Sequence, residues 1–235
     1  MGNSWFQFQK FRINQDRTAM KISTDAVLLG ALAKKDDPAQ ILDIGTGTGV
    51  IALMLAQRYP NAKILGIELD QDAAEQAKRN AEASVFSERV RILQMPIQGF
   101  ETPLKFDLIV SNPPYFPDHL KSTDQKRNQA LHTDQLSFEE LLGKVEELLD
   151  QRGSFWVILP PRQMQDFLQL AEKKSLFPYE VNQVRDSPGK KVQREIVGFS
   201  FENTLSTQKE ILIKSESGEA HESYSSVVTG FLLNF

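Results

Sequence analysis

The chain has 235 residues, 40% of them hydrophobic and 25% charged, the balance of a soluble globular protein with one sizeable core. With no cysteine and only three scattered histidines (His119, His132, His221), disulfides and cysteine-based zinc sites are excluded and no histidine pair has ligand spacing. A net charge of −4 argues against a general nucleic-acid coat and leaves room only for local basic patches.

Taken in chain order, the first 21 residues carry spaced aromatics (Trp5, Phe6, Phe8, Phe11) that suit an edge ribbon over the core. The start Met1-Gly2-Asn3-Ser4-Trp5-Phe6 lacks the basic and apolar parts of a signal peptide, and no apolar run reaches membrane-spanning length. The expected location is therefore the cytoplasm, without membrane partners. Thr24 is expected to cap a short helix from Asp25 to Ala33. Strands are predicted at 41–44, 63–68, 90–94, 106–111 and 153–159, and helices at 50–58, 71–84 and 137–149. Ser137 with Glu140 three residues on reads as a capping box. A further helix is expected from Gln163 to Lys174. The alternating stretches Glu180–Asp186 and Glu195–Phe201 suit an antiparallel pair. Ile211–Lys214 reads as a short extra strand and Ser223–Leu233 as a closing helix, while 115–136 and 202–222 read as polar loops. Alternating βα units predict an α/β, doubly wound, mostly parallel sheet. Ligands then bind at the carboxyl ends of its strands.

Two motifs fall at those ends. Ile41-Leu42-Asp43-Ile44-Gly45-Thr46-Gly47-Thr48-Gly49 is a short apolar strand, an acid and three alternating glycines, followed by a helical stretch. Glycines let backbone approach a ligand, and the helix N-terminus favours polar or anionic groups. The spacing is neither that of dinucleotide binding nor that of a phosphate-binding P-loop. Glu68 ends the next strand, 19 residues beyond Gly49, where an acid commonly takes a ribose hydroxyl pair.

The second motif, Asn112-Pro113-Pro114-Tyr115, follows the strand Phe106–Ser111. Each proline lacks an N–H and extends the residue before it, so the loop is stiff. It offers an amide oxygen (Asn112), a backbone carbonyl (Pro113) and an aromatic face (Tyr115). Those groups suit a planar group bearing NH2. The simpler alternative is a Pro-Pro turn with an aromatic packed beneath it.

Together the motifs resemble S-adenosylmethionine-dependent methyltransferases that modify planar amines or amides. The stretch Ala19-Met20-Lys21-Ile22-Ser23-Thr24-Asp25-Ala26-Val27-Leu28-Leu29-Gly30-Ala31, and the Tyr224-containing end, are similar to one subgroup, the bacterial tRNA(Val) adenine-N6 methyltransferases acting at position 37. The resemblance covers essentially the whole chain and implies a class I, seven-stranded Rossmann-like sheet. One domain spanning 1–235 would comprise a cover segment and helix (1–40), a core (41–202) and a C-terminal strand and helix (203–235). It implies S-adenosyl-L-methionine as cofactor, held by Lys21, Thr24, Asp43, Gly45, Gly47, Gly49, Glu68, Met95, Pro96 and Asn112. Asn112, Pro113, Pro114 and Tyr115 would be catalytic. A tRNA would be the substrate, with no metal, and the protein a monomer or weak homodimer.

One departure stands out. Pro96 occupies the position where many relatives carry an Asp that contacts the cofactor's adenine. Backbone groups, packing from Met95 and Ile97, or Gln98 would replace it. For the RNA, the candidates are Lys121, Lys126 and Arg127 after Tyr115, and Lys190, Lys191 and Arg194 around Ser187-Pro188-Gly189. Lys10, Arg12, Arg17 and Lys21 form a third basic group, and each group has a solvated face as its plain alternative. Two other substrates share the chemistry: a release-factor glutamine amide, whose enzymes carry a helical domain before the glycine loop, and guanine N2 in ribosomal RNA, whose enzymes commonly have Phe in place of Tyr115.

Overall fold

The computed structural model describes residues 3–18, 21–114 and 136–235. Tyr115, Lys121, Lys126 and Arg127, and with them all of the expected loop at 115–136 but Leu136, lie outside the described residues. A small ribbon opens the chain, β1 (Trp5–Gln7) antiparallel to β2 (Arg12–Asn14), followed by α1 (Thr24–Leu32). Then come β3 (Gln40–Ile44), α2 (Val50–Arg58), β4 (Lys63–Glu68), α3 (Gln71–Glu82), β5 (Val90–Gln94) and β6 (Phe106–Ser111). The second half holds α4 (Phe138–Leu148), β7 (Leu149–Leu159), α5 (Pro161–Glu172), β8 (Phe177–Arg185), β9 (Arg194–Ser200), β10 (Thr207–Leu212) and α6 (Glu222–Val228).

The main sheet runs β10-β8-β9-β7-β6-β3-β4-β5. Only β9 is antiparallel to its neighbours, so the expected mostly parallel doubly wound sheet is present. Strands β3 and β6 lie at its centre and are almost wholly buried, because both faces are covered by helices. One core holds α1, α2 and α3, with Leu28, Leu53 and Ala77 against Ile41 and Leu108. The other holds α4 and α5, with Leu142, Val145, Met164 and Phe167 against Leu42, Ile109 and Phe155.

Most expected boundaries shift by one to three residues, as at Pro161–Glu172 and Phe177–Arg185, and four differences have a physical reason. Helix α1 is capped by Ser23, not Thr24: Ser23 has extended backbone and its hydroxyl accepts the Ala26 N–H at 3.2 Å. The C-terminal strand spans Thr207–Leu212 and not 211–214. It adds an eighth strand at the sheet edge by pairing in parallel with β8. Its first four residues are polar and exposed, so no apolar pattern announced its start. The next strand boundary, at β7, begins at Leu149, directly from α4. The closing helix stops at Val228, since Gly230 turns the chain at φ +86°. Ser137 and Glu140 form the reciprocal capping box that their spacing predicts.

Candidate active site

The glycine loop is held from behind by a buried carboxylate. Asp43 is fully buried at the end of β3. Its Oδ2 accepts the Thr46 hydroxyl at 2.6 Å and the Ala52 N–H at 3.2 Å, which ties the loop to the first turn of α2. Its Oδ1 has no hydrogen-bond partner among the described residues. Burial pushes the Asp43 carboxyl up to about 7, against the smaller lowering by the Thr46 and Ala52 hydrogen bonds, with Glu68 adding a little to the rise. The Gly45 and Thr46 N–H groups donate to the Ile67 carbonyl at 2.9 and 3.1 Å, fastening the loop to β4. Gly45 and Gly47 have φ of +72° and +56°, and a Cβ on either would project into open space. Gly49, by contrast, sits where α3 passes: a Cβ there would touch Ala77 at 3.4 Å.

Glu68 faces the loop from the end of β4. Its carboxylate accepts the Gly47 N–H at 2.8 Å and the Asp70 N–H at 3.0 Å. Asp70 caps α3 by accepting the Ala73 N–H. At the end of β6, the Ser111 hydroxyl donates to the Ile44 carbonyl at 2.9 Å. That bond sets the exit of β6, and hence Asn112, beside the end of β3.

A cavity of about 530 Å³ opens across these strand ends. Gly45, Glu68, Met95 and Pro96 line it, as do Ser111, Pro113 and Pro114. The glycine loop, the acid after β4 and the Asn-Pro-Pro exit of β6, far apart in sequence, thus meet at one hollow. Ile97 and Gln98 line it too, beside Pro96. Asn112 lies between the lining residues Ser111 and Pro113. Asp43, Gly47, Gly49, Lys21 and Thr24 do not line the hollow: Asp43 and Gly49 shape the loop from behind, and the Lys21 amine donates to the Asn3 carbonyl at 3.4 Å. Leu69, Asp70, Gln71 and Leu136 line it without having been singled out in the sequence. Only Asp70 carried a signal, that of a helix N-cap after a strand.

Because β9 runs back along the sheet, the turn between β8 and β9 returns to the same edge. Lys190 and Lys191 are exposed there. Arg194 is committed differently: its guanidinium pairs with Asp25 at 2.6 Å, joining β9 to the start of α1.

The strand order, the glycine loop and the hollow define a Rossmann-like class I methyltransferase. The sequence profile of the methyltransferase small domain matches residues 21–173. Over 230 residues the chain is 41% identical to a "tRNA1(Val) (adenine(37)-N6)-methyltransferase" of Pedobacter heparinus, covering 98% of each chain. A protein of the same name from Bacteroides thetaiotaomicron is 39% identical over 235 residues, covering 100% of this chain and 99% of that one. The chain belongs to this methyltransferase family. Among solved structures, a protein described as a "predicted O-methyltransferase" from Agrobacterium tumefaciens has a TM-score of 0.70 at 21% identity, over 88% of this chain and 96% of that one, and shares the fold.

The residues fit S-adenosylmethionine. The hollow is large enough, its glycine wall is open where side chains would intrude, and the Glu68 carboxylate lines it. Among the described residues no cluster of His, Cys, Asp or Glu is placed to hold a metal ion, and no helix is long and apolar enough to cross a membrane.

Proposed function

We propose that this protein methylates the exocyclic N6 of an adenine in tRNA, at position 37 of tRNA1(Val), the substrate named for its relatives. The observation that carries the chemistry is the Asn112-Pro113-Pro114 exit of β6 opening on the same hollow as Gly45 and Glu68. In this reading residues 1–235 act as one domain, in the cytoplasm where tRNA is found, as a monomer or weak homodimer.

When bound, S-adenosylmethionine supplies an electrophilic methyl group. Glu68 would take its ribose hydroxyls, the glycine loop its methionine part, and Met95, Pro96, Ile97 and Gln98 its adenine. The target N6 is a poor nucleophile because its lone pair is delocalised into the ring. The Asn112 side-chain oxygen and the Pro113 carbonyl accept its two hydrogens and favour a more tetrahedral nitrogen. Positive charge grows on N6 as the carbon–nitrogen bond forms, and the same two oxygens stabilise it before a proton leaves to solvent. That is binding stronger in the transition state than in the ground state, by dipoles already in place. Tyr115 would stack on the extruded base, worth about 1–3 kcal/mol. Lys190 and Lys191, on the same edge, would meet the RNA backbone.

The test offers labelled S-adenosylmethionine with tRNA, ribosomal RNA and release factor in separate reactions. N6-methyladenosine beside the anticodon of tRNA(Val) is the expected product. Label in a glutamine or in guanosine would leave the cofactor site standing and overturn the substrate. Asn112→Ala should lower turnover at least about a hundredfold, the size of effect seen when one preorganised transition-state partner is lost. S-adenosylhomocysteine binding should persist. Near-normal turnover would remove Asn112 from the mechanism.

A further inference from the structure

The N-terminal ribbon carries features that neither the core nor the hollow uses. Two strands of three residues do not hold themselves. This ribbon is fastened by buried Phe8, Phe11 and Ile13 and by Gln9, whose backbone N–H donates to the Phe231 carbonyl at 2.8 Å and whose amide donates to the Leu232 carbonyl at 2.9 Å. The tightest tie is Asn80, fully buried on α3. Its oxygen accepts the Asn14 N–H, and its amide donates to the Asn14 and Thr48 carbonyls, all at 2.9 Å. One side chain thus joins the ribbon to the glycine loop.

On this anchored frame Trp5 and Phe6 stand 42% and 39% exposed. The Arg12 guanidinium lies over the Trp5 ring, 4.1 Å from its centroid. Lys10 and Arg17 are also exposed. Residues 3–18 hold three cations and one acid, Asp16, in a chain whose net charge is −4. The chain then climbs α3 toward the site. Phe11 packs near Phe86, Asn14 meets Asn80, and the Arg17 N–H donates to Gln76 at 3.3 Å. Arg17 and Gln71 share a polar cleft of about 280 Å³, and Gln71 also lines the main hollow. Asn80 and Gln71 stand nine steps apart along the helix, a climb of about 14 Å.

We propose that this ribbon is a second contact for the substrate tRNA, resting on the tRNA reading above. Its cations meet phosphates outside the target nucleotide, and Trp5 packs against an unstacked base or ribose. Exposed aromatics interleaved with cations are how proteins grip single-stranded RNA, where every base has a face to stack. A rigid support lets such a contact orient the RNA relative to the hollow and not merely attract it.

The test uses full-length Trp5→Ala and Arg12→Gln proteins. Measured are tRNA affinity at several salt concentrations, S-adenosylhomocysteine affinity, melting temperature and solution mass. Trp5→Ala should weaken tRNA binding about tenfold. Arg12→Gln should lower the dependence of log affinity on log salt by about 0.7–0.9, one phosphate contact. Both should keep wild-type cofactor affinity and melting. Unchanged tRNA affinity and salt dependence in both overturns the proposal, as does a change of solution mass alone, which would make the face a self-association surface. Equal losses of tRNA and cofactor binding would reduce the ribbon to scaffolding and also overturn it. If wild-type protein methylates no tRNA, the function falls and takes this contact with it; if wild type is active while both variants bind normally, only the contact falls.

Discussion

Replacing Asp43 by Asn keeps the shape of the side chain and removes its charge. In the wild type, a carboxyl that ordinarily loses its proton near 3.8 does so near 7, chiefly because it is buried. A group raised in this way favours the folded state most below its unfolded pKa, and that stability is lost as pH rises through the folded value. The whole effect is at most about 4 kcal/mol, with about 2–3 kcal/mol of it falling between pH 5 and pH 8. Asp43→Asn cannot ionise. Its oxygen can still accept from Thr46 and Ala52, and its NH2 takes the place of the unpartnered Oδ1. Hydrogen bonds from Ser137 hold Glu140 below the usual carboxylate range. Burial would raise Glu180, but hydrogen bonds from Lys34, Asn182 and Lys209 hold it low as well. Both groups act with the opposite sign and are common to the two proteins, so they cancel in the comparison. Urea unfolding followed by tryptophan fluorescence, without cofactor, should show the wild type losing about 2–3 kcal/mol relative to Asp43→Asn between pH 5 and pH 8. Parallel pH profiles for the two proteins would refute the reasoning, because they would mean that Asp43 titrates alike in the folded and unfolded chain.

Glu68→Ala removes the acceptor of the Gly47 and Asp70 N–H groups and the partner proposed for the ribose. Cofactor affinity by calorimetry should fall about 10- to 100-fold, the worth of hydrogen bonds to a charged group; an unchanged affinity would remove Glu68 from the site. Arg89→Ala should cost about 2–3 kcal/mol in urea unfolding. The Arg89 guanidinium donates to the carbonyls of Ala56, Tyr59 and Ala62 at 2.8–2.9 Å and so closes the end of α2. A loss below about 0.5 kcal/mol, the ordinary range of surface substitutions, would show that water replaces those bonds.

Much of this protein follows from local pattern. The apolar runs that became β3, β4 and β6 are too short and too continuous for half-exposed elements, so burial in a parallel sheet was their one outlet. The glycines of the loop, the acid ending β4 and the prolines after β6 each declare a backbone state in a few residues. Since ligands bind at the carboxyl ends of such strands, the site's position was implied before any coordinate. Other features depend on residues that only folding brings together. Asn80 reads as one more polar residue on an amphipathic helix, yet it bonds Asn14, 66 positions away, and the glycine loop. Arg194 reads as one more basic residue after a turn, yet it pairs with Asp25, 169 positions away. The edge strand β10 hides behind four exposed polar residues because hydrogen bonds to β8 hold it along its length while Ile211 is its one buried side chain. Asp43 stood out as an acid before the glycines, but its place as a buried post behind the loop was not legible, since burial is a property of everything packed around a residue and not of its neighbours in sequence.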